Sequence, residues 1–263
     1  MPVTVHDLRA WKVARRRFAM LTAYDFPTAR ILDRAGILVI LVGDSLAQNV
    51  LGYENTLPIT MEEMLHHTRA VTRGAENALV IGDMPFLSYQ VSNEEAVRNA
   101  GRFLKEGGAH AVKIEGPLFD LVATLTERGI PVMAHVGLTP QSVHAMGGYR
   151  VQGRDEEAAS RLIESAQHLE KCGAFAAVLE GIPAELGRRI TESISMPTIG
   201  IGAGPDCDGQ VLVITDLLGM SEQTPPKFVK RYADLHTDIT AAVRTFAAEV
   251  EEGKFPGPEH CYG

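Results

Sequence analysis

Apolar residues are distributed along this chain in two rhythms. Five short apolar runs end on a polar side chain: Leu38-Val-Ile-Leu-Val-Gly-Asp44, Leu79-Val-Ile-Gly-Asp83, Val132-Met-Ala-His135 and Ala176-Ala-Val-Leu-Glu180 without alternation, and Ala111-Val-Lys113-Ile-Glu115 with Lys113 inside it. A strand that is apolar on both faces belongs in a parallel sheet covered by helices. Between these runs lie longer stretches with helical spacing and recognisable ends. Pro27 opens a helix through Ala35 that Gly36 closes. Thr60-Met-Glu-Glu63 is a capping box for a helix to about Arg73, and Ser92 or Asn93 caps another over Glu94 to Glu106. Asp155 caps a helix to Lys171, and Gly107, Gly129 and Gly173 mark further helix ends.

Three more strands complete the pattern: Phe18 to Asp25, Pro197 to Ile201 and Val211 to Thr215. Val5 to Val13 reads as a short amphipathic helix able to cover one end of the domain, and Pro226 to Glu251 as a final helix. Leu46 to Thr60 and Val136 to Arg154 read as long loops. Eight strands, each followed by a helix or a helix-length gap, in 263 residues match the count and size of a (β/α)₈ TIM barrel. The expectation is one barrel domain over 1–263 with a short N-terminal helix. The competing arrangement is a doubly wound open sheet. It would need a dinucleotide fingerprint, but Gly200-Ile-Gly202-Ala-Gly204 runs into Pro205 and not into an opening helix.

Composition narrows the partners. Apolar residues make up 45% and charged residues 22% of the chain, as in an ordinary globular protein. A net charge of −8 argues against nucleic acid or an anionic membrane as the main partner. No apolar run has the roughly 18–20 residues of a transmembrane helix. The three cysteines, Cys172, Cys207 and Cys261, are scattered without zinc or disulfide spacing, which suits the reducing cytoplasm. Arg15-Arg16-Arg17 immediately precedes a strand and reads as a solvated turn, and His66-His67 reads as part of a solvated helix face. Cys207 has no basic neighbour in sequence and is not expected to be a nucleophile.

Polar residues just past the ends of barrel strands lie on the edge that carries the chemistry. Side chains alternate along a strand, so Lys113 and Glu115 share a face; Asp83 shares one with Ile81, and Asp44 with Val42 and Ile40. Three carboxylates within about 6 Å of one another repel by roughly 3 kcal/mol per pair at an effective dielectric of 20. Such a group holds a proton or a cation, and all-oxygen donors favour a hard ion such as Mg²⁺. The plainer reading makes these acids helix caps or salt-bridge partners. Glu180 follows an apolar run, so dry surroundings and a raised pKa would make it a general base; the alternative is a buried acid paired with Arg188. Lys113 is read as balancing negative charge on a bound acid or on an oxyanion, or simply pairing with Glu115. His135 is read as a substrate hydrogen-bonding group, a metal ligand or a structural histidine.

Taken together, Gly43-Asp-Ser-Leu, Gly82-Asp83-Met-Pro, Val112-Lys-Ile-Glu115-Gly, Gly137-Leu-Thr-Pro-Gln-Ser, Gly147-Gly-Tyr with Val151-Gln-Gly-Arg154, and Gly200-Ile-Gly-Ala-Gly204 resemble the ketopantoate hydroxymethyltransferase family in order and spacing. The similarity runs from Phe18 to Pro256-Gly257. It implies a barrel of the phosphoenolpyruvate mutase and isocitrate lyase kind, assembled as a homo-oligomer, typically a decamer. It also implies Mg²⁺ held by Asp44, Asp83 and Glu115, with 3-methyl-2-oxobutanoate bound by Asp44, Ser45, Asp83, Lys113 and His135. Glu180 would take the substrate proton, giving a Mg-stabilised enolate that attacks 5,10-methylenetetrahydrofolate and yields ketopantoate for pantothenate biosynthesis. Ala47-Gln48-Asn49 and Thr215 depart from the family pattern. Two rivals remain: another Mg²⁺-dependent carbon–carbon enzyme on the same barrel, and a catalytically silent barrel used for binding.

Overall fold

The computed structural model describes residues 2–222 and 224–263; Met1 and Gln223, both inside the expected domain span, lie outside the described residues. The chain divides into two compact units, 1–213 and 214–263. The first holds eight parallel strands closed into a barrel in sequence order: β1 (Phe18–Thr22), β2 (Val39–Val42), β3 (Leu79–Asp83), β4 (Ala111–Lys113), β5 (Val132–Gly137), β6 (Ala176–Glu180), β7 (Thr198–Ile201) and β8 (Gly209–Leu212). The barrel expected from the apolar runs is present, and the open sheet is excluded by the pairing of β1 with β8.

The intervening helices begin where the sequence predicts. Thr60 and Glu63 form a reciprocal capping box for Met61–Gly74. Asp25 and Asp155 accept main-chain N–H bonds at the starts of Phe26–Arg34 and Glu156–Lys171. Of the two candidate caps for Asn93–Lys105, Ser92 is the one used. Each cap satisfies donors that the first helical turn would otherwise leave unpaired.

Alternation along the strands divides inside from outside. Met20, Val39, Leu41, Leu79, Ile81, Ala111, Met133, Ala176, Val178, Ile199 and Val211 form the packed barrel interior. Leu8 and Trp11 of the helix Val5–Val13 join that cluster, so this helix plugs one end, as its spacing predicts. Two steps further along β3, β4, β5 and β6, the same face carries Asp83, Lys113, His135 and Glu180.

Several boundaries differ from expectation. Strand β8 ends at Leu212, and Ile214–Leu217 is a helical turn. The strand therefore begins at Gly209-Gln210, which have weak strand preference. Pairing of Phe18 with Gly209 through Leu21 with Leu212 overrides that preference. Only a turn separates β7 from β8. Both long loops contain short helical pieces, Leu46–Asn49 in one and Pro140–Ser142 with Val143–Met146 in the other.

In the second unit the long helix is Leu235–Glu251 and does not start at Pro226. The main-chain N–H groups of Tyr232, Leu235 and His236 donate to the carbonyls of Leu217, Leu218 and Gly219, and so do not close helical turns of their own. No residue of Leu235–Glu251 is buried.

Candidate active site at the carboxyl ends of the strands

The strand ends bring six of the predicted side chains to one mouth of the barrel. In the ladder Asp83 lies opposite Lys113. Their side chains meet, with Lys113 Nζ 2.8 and 2.9 Å from the two carboxylate oxygens of Asp83. Asp83 Oδ2 also accepts the main-chain N–H of Asp44 at 3.1 Å. Lys113 is 3.6 Å from Glu115 Oε1, so its principal partner is Asp83 and not the Glu115 that sequence parity alone makes the nearest candidate. His135 extends the row: Nδ1 is 3.5 Å from Glu115 Oε1, and Nε2 is 3.4 Å from Glu180 Oε2.

Asp44 reaches the site by another route than the one expected. Val39 and Leu41 face the barrel interior, so alternation sends Ile40 and Val42 outward, and a continued strand would send Asp44 outward with them. The strand stops at Val42. The turn through Gly43 breaks the parity and delivers Asp44 to the mouth, where its carboxylate accepts from Gln141 Nε2 at 3.0 Å. Ser45 follows, its hydroxyl 2.9 Å from that of Tyr24.

Asp44, Asp83, Lys113, Glu115 and His135 are all buried, at 5% exposure or less. Ionised together, three carboxylates and one ammonium would leave two uncompensated negative charges in a dry interior, so these acids hold protons more tightly than usual. Burial pushes the Asp83 carboxyl up to about 7, opposed by Lys113 and reinforced by Asp44. Burial likewise raises Glu115 well above the ordinary carboxylate range. For Lys113, burial works against the charge, but the carboxylates of Asp83, Glu115 and Asp44 outweigh it and hold the ammonium protonated. His135 is kept neutral by burial and by the nearby positive charge of Lys113.

Glu180 does not have the dry surroundings expected of it. Its side chain is 18% exposed, at the rim of the mouth, because Glu180 closes β6 where the strand meets solvent. Nor is it paired with Arg188, which binds Glu185 and Glu192 on its own helix. The helix pair His66-His67 is only half solvated: His66 is exposed, but His67 Nδ1 lies 2.6 Å from the carbonyl of Tyr24. Cys207 is buried with its thiol pushed up by that burial, consistent with an unreactive role.

Sequence reasoning missed Gln141, Tyr89 and Tyr24, which border the acidic cluster. Gln141 lay within a motif already singled out, Gly137-Leu-Thr-Pro-Gln-Ser; nothing local marks the other two. Among the described residues no three His, Cys, Asp or Glu side chains converge as a closed ligand set for a metal ion. Lys113 occupies both oxygens of Asp83, and Gln141 stands between Asp44 and Glu115.

The donors nonetheless suit a hard divalent cation. They are carboxylates, they carry a surplus charge of two, and Glu115 Oε1 and both His135 nitrogens are buried without a hydrogen-bond partner. Unmet buried polar atoms gathered in one place call for a ligand. Mg²⁺ is commonly held by only one or two carboxylates, with water and substrate oxygens filling its remaining positions.

A model of the family described as ketopantoate hydroxymethyltransferase matches residues 2–258. The chain belongs to the ketopantoate hydroxymethyltransferase family. It is 55% identical over 262 residues to the 3-methyl-2-oxobutanoate hydroxymethyltransferase of Syntrophomonas wolfei, covering 99% of this chain and 95% of that one. With the enzyme of the same name from Geotalea daltonii it shares 57% identity over 255 residues, 96% of either chain. Among solved structures, phosphonopyruvate hydrolase in complex with oxalate and Mg²⁺ superposes with a TM-score of 0.63 at 14% identity, over 98% of this chain and 93% of that one. A 2,3-dimethylmalate lyase of the phosphoenolpyruvate mutase/isocitrate lyase superfamily gives 0.60 at 17% identity, over 98% and 93%. At such identities the structural likeness establishes the fold alone, a closed barrel of eight parallel strands.

Proposed function

We propose that this member of the family transfers a one-carbon unit from 5,10-methylenetetrahydrofolate to 3-methyl-2-oxobutanoate, forming ketopantoate for pantothenate biosynthesis. The observation that carries the reading is the row of Asp44, Asp83, Lys113, Glu115, His135 and Glu180 on five consecutive strand ends, with three buried carboxylates facing a single ammonium.

Asp44, Asp83 and Glu115 would hold Mg²⁺. A divalent ion there supplies Lewis-acid stabilisation of negative charge developing on the 2-oxo group. The chain's own groups divide the remaining work. The Lys113 ammonium balances the carboxylate of the oxo acid, and the paired hydroxyls of Ser45 and Tyr24 offer a donor at the edge of the site. Neutral His135 offers one donor and one acceptor between Glu115 and Glu180, suited to orienting the substrate oxygens.

Glu180, partly exposed at the rim, takes the proton from the branched carbon, C3, of the oxo acid. Electrons of the broken C–H bond become those of the enolate, whose carbon attacks the methylene group. One methylene–nitrogen bond breaks as the carbon–carbon bond forms, that nitrogen taking the proton removed from C3; water then displaces the second nitrogen, supplying the hydroxyl of the product and the proton that completes tetrahydrofolate. Three free thiols suit a reducing cytoplasm. Ile239, Val243, Phe246 and Val250, exposed at helical spacing on Leu235–Glu251, support assembly into the homo-oligomer, a decamer, that the family resemblance implies.

The test is Glu180→Gln. Oxo-acid binding, measured by calorimetry with Mg²⁺ present, is expected to survive, while exchange of the substrate's C3 proton in D₂O stops. Exchange at the wild-type rate removes Glu180 from the role of base. Turnover of the wild-type protein only with an unrelated oxo acid overturns the substrate.

A further inference from the structure

One buried neutral side chain beside the acidic cluster has no part in the mechanism above. Gln141 is 5% exposed and lies in the short turn Pro140–Ser142 that follows β5. Its amide Nε2 donates to Asp44 Oδ2 at 3.0 Å and to the carbonyl of Met84 at 2.9 Å. Its Oε1 accepts from the Tyr89 hydroxyl at 2.6 Å and from Gln90 Nε2 at 3.3 Å. Its main-chain N–H donates to Glu115 Oε2 at 3.0 Å. The Tyr89 hydroxyl, 2% exposed with its residue, accepts in turn from the main-chain N–H of Glu115 at 3.1 Å.

The side-chain amide of Gln141 therefore uses both of its donors and both of its acceptor positions. Only one orientation of that amide fits. Turned over, its oxygen would face the Asp44 carboxylate and the Met84 carbonyl, two acceptors, while its NH₂ would lose them. Tyr89 fixes the choice by spending its proton on Oε1.

The consequence falls on the carboxylates. Gln141 takes one oxygen from each of Asp44 and Glu115, and does so with neutral donors that leave the surplus negative charge in place. Glu115 Oε1 is left buried without a hydrogen bond, with Lys113 Nζ at 3.6 Å and His135 Nδ1 at 3.5 Å. A cationic residue in the position of Gln141 would tie the same two acids but cancel the charge that a divalent ion needs.

We infer that Gln141, held in a single orientation by Tyr89, is a positioning residue that ties Asp44 to Glu115 and leaves their remaining oxygens free for a divalent cation. This rests on the reading of the cluster as a Mg²⁺ site given above. Outer-shell partners of metal-bound carboxylates characteristically change affinity 10–100-fold when removed, because the carboxylate must then be ordered at the moment of binding.

The experiment is calorimetric titration of Mn²⁺ into the metal-free full-length protein without substrate, using wild type, Gln141→Met, Tyr89→Phe and the double variant. Circular dichroism confirms that each is folded. Wild type is expected to bind one Mn²⁺ per chain. Each single variant should bind about 10–100-fold more weakly. The double variant should lose less than the product of the two single losses, since Tyr89 acts largely through Gln141. In turnover assays kcat should fall with an unchanged KM for the folate.

A folded single variant that binds Mn²⁺ within about twofold of wild type overturns the inference, as does a double variant whose losses multiply in full. If Gln141→Met does not fold, Tyr89→Phe decides alone, because it removes a single oxygen. A wild-type protein that binds no Mn²⁺ sinks instead the metal reading of the cluster, a result distinct from equal binding by wild type and variants.

Discussion

Replacing Gly137 by alanine tests how closely the end of β5 is fitted to the residue read as the base. Gly137 has φ +100, and a Cβ there would lie 2.3 Å from the main-chain oxygen of Glu180 and 2.9 Å from Ile182 Cγ2. The same Glu180 oxygen accepts the N–H of Leu138 at 2.8 Å. Ordinary contact begins near 3.4 Å, so the two strand ends must part by about 1 Å, stretching that hydrogen bond. Gly36→Ala is the matched control: φ is +85 there, with nothing within 4 Å of the added methyl. Both variants carry the cost of a left-handed alanine, about 1–3 kcal/mol. Gly137→Ala alone adds a compromised buried hydrogen bond, about 1–2 kcal/mol more. In a domain of this size each kcal/mol lowers Tm by about 2–4 °C. Urea unfolding and calorimetry of both variants give the difference directly. A displacement of about 1 Å at the main chain of a reacting group can reduce turnover on the order of 100-fold, so Gly137→Ala should also lose activity while Gly36→Ala keeps it. Equal stability and equal activity for the two alanines would refute this account of the β5–β6 junction.

Two further predictions concern the charges of the cluster. Lys113→Met removes the ammonium bound to both oxygens of Asp83, and breaking a buried pair of this kind costs about 3–5 kcal/mol; urea midpoints should fall at pH 8 and fall less at pH 5.5, where a proton can replace the lysine, and an unchanged midpoint at pH 8 would contradict the pairing. The metal-free protein should show the reverse of the usual acid behaviour. The Asp83 carboxyl is held up at about 7 against an ordinary 3.8, and Glu115 is raised too, so between these values the folded chain keeps protons the unfolded chain has lost. By linkage that contribution is complete below about pH 4 and disappears as pH rises through 7. With EDTA present the urea midpoint should therefore be lower at pH 7.5 than at pH 5.5, and added Mg²⁺ should recover it at pH 7.5. A midpoint that is level or rises across that window would show that the cluster carries no such strain.

The residues themselves determined the barrel and most of its mouth. Apolar runs of only about four to six residues, bounded by turn residues, are too short for buried helices and read as strands covered on both faces, and capping residues such as Thr60 with Glu63 mark helix starts through bonds made within four residues. The same local logic put Asp83, Lys113, Glu115, His135 and Glu180 at strand ends, since a run of alternating faces carries its parity to the last residue. What only the tertiary structure decided is whatever depends on partners distant in sequence. Asp44 defies its strand's parity because Gly43 turns the chain. β8 starts at a glycine because β1 lies beside it. Glu180 is partly exposed because its strand ends at the rim. Tyr89 and Gln141, 52 residues apart, join the cluster through hydrogen bonds between loops of different strands. A hydrogen bond is directional and short, so no spacing along the chain announces which loops will close to make it.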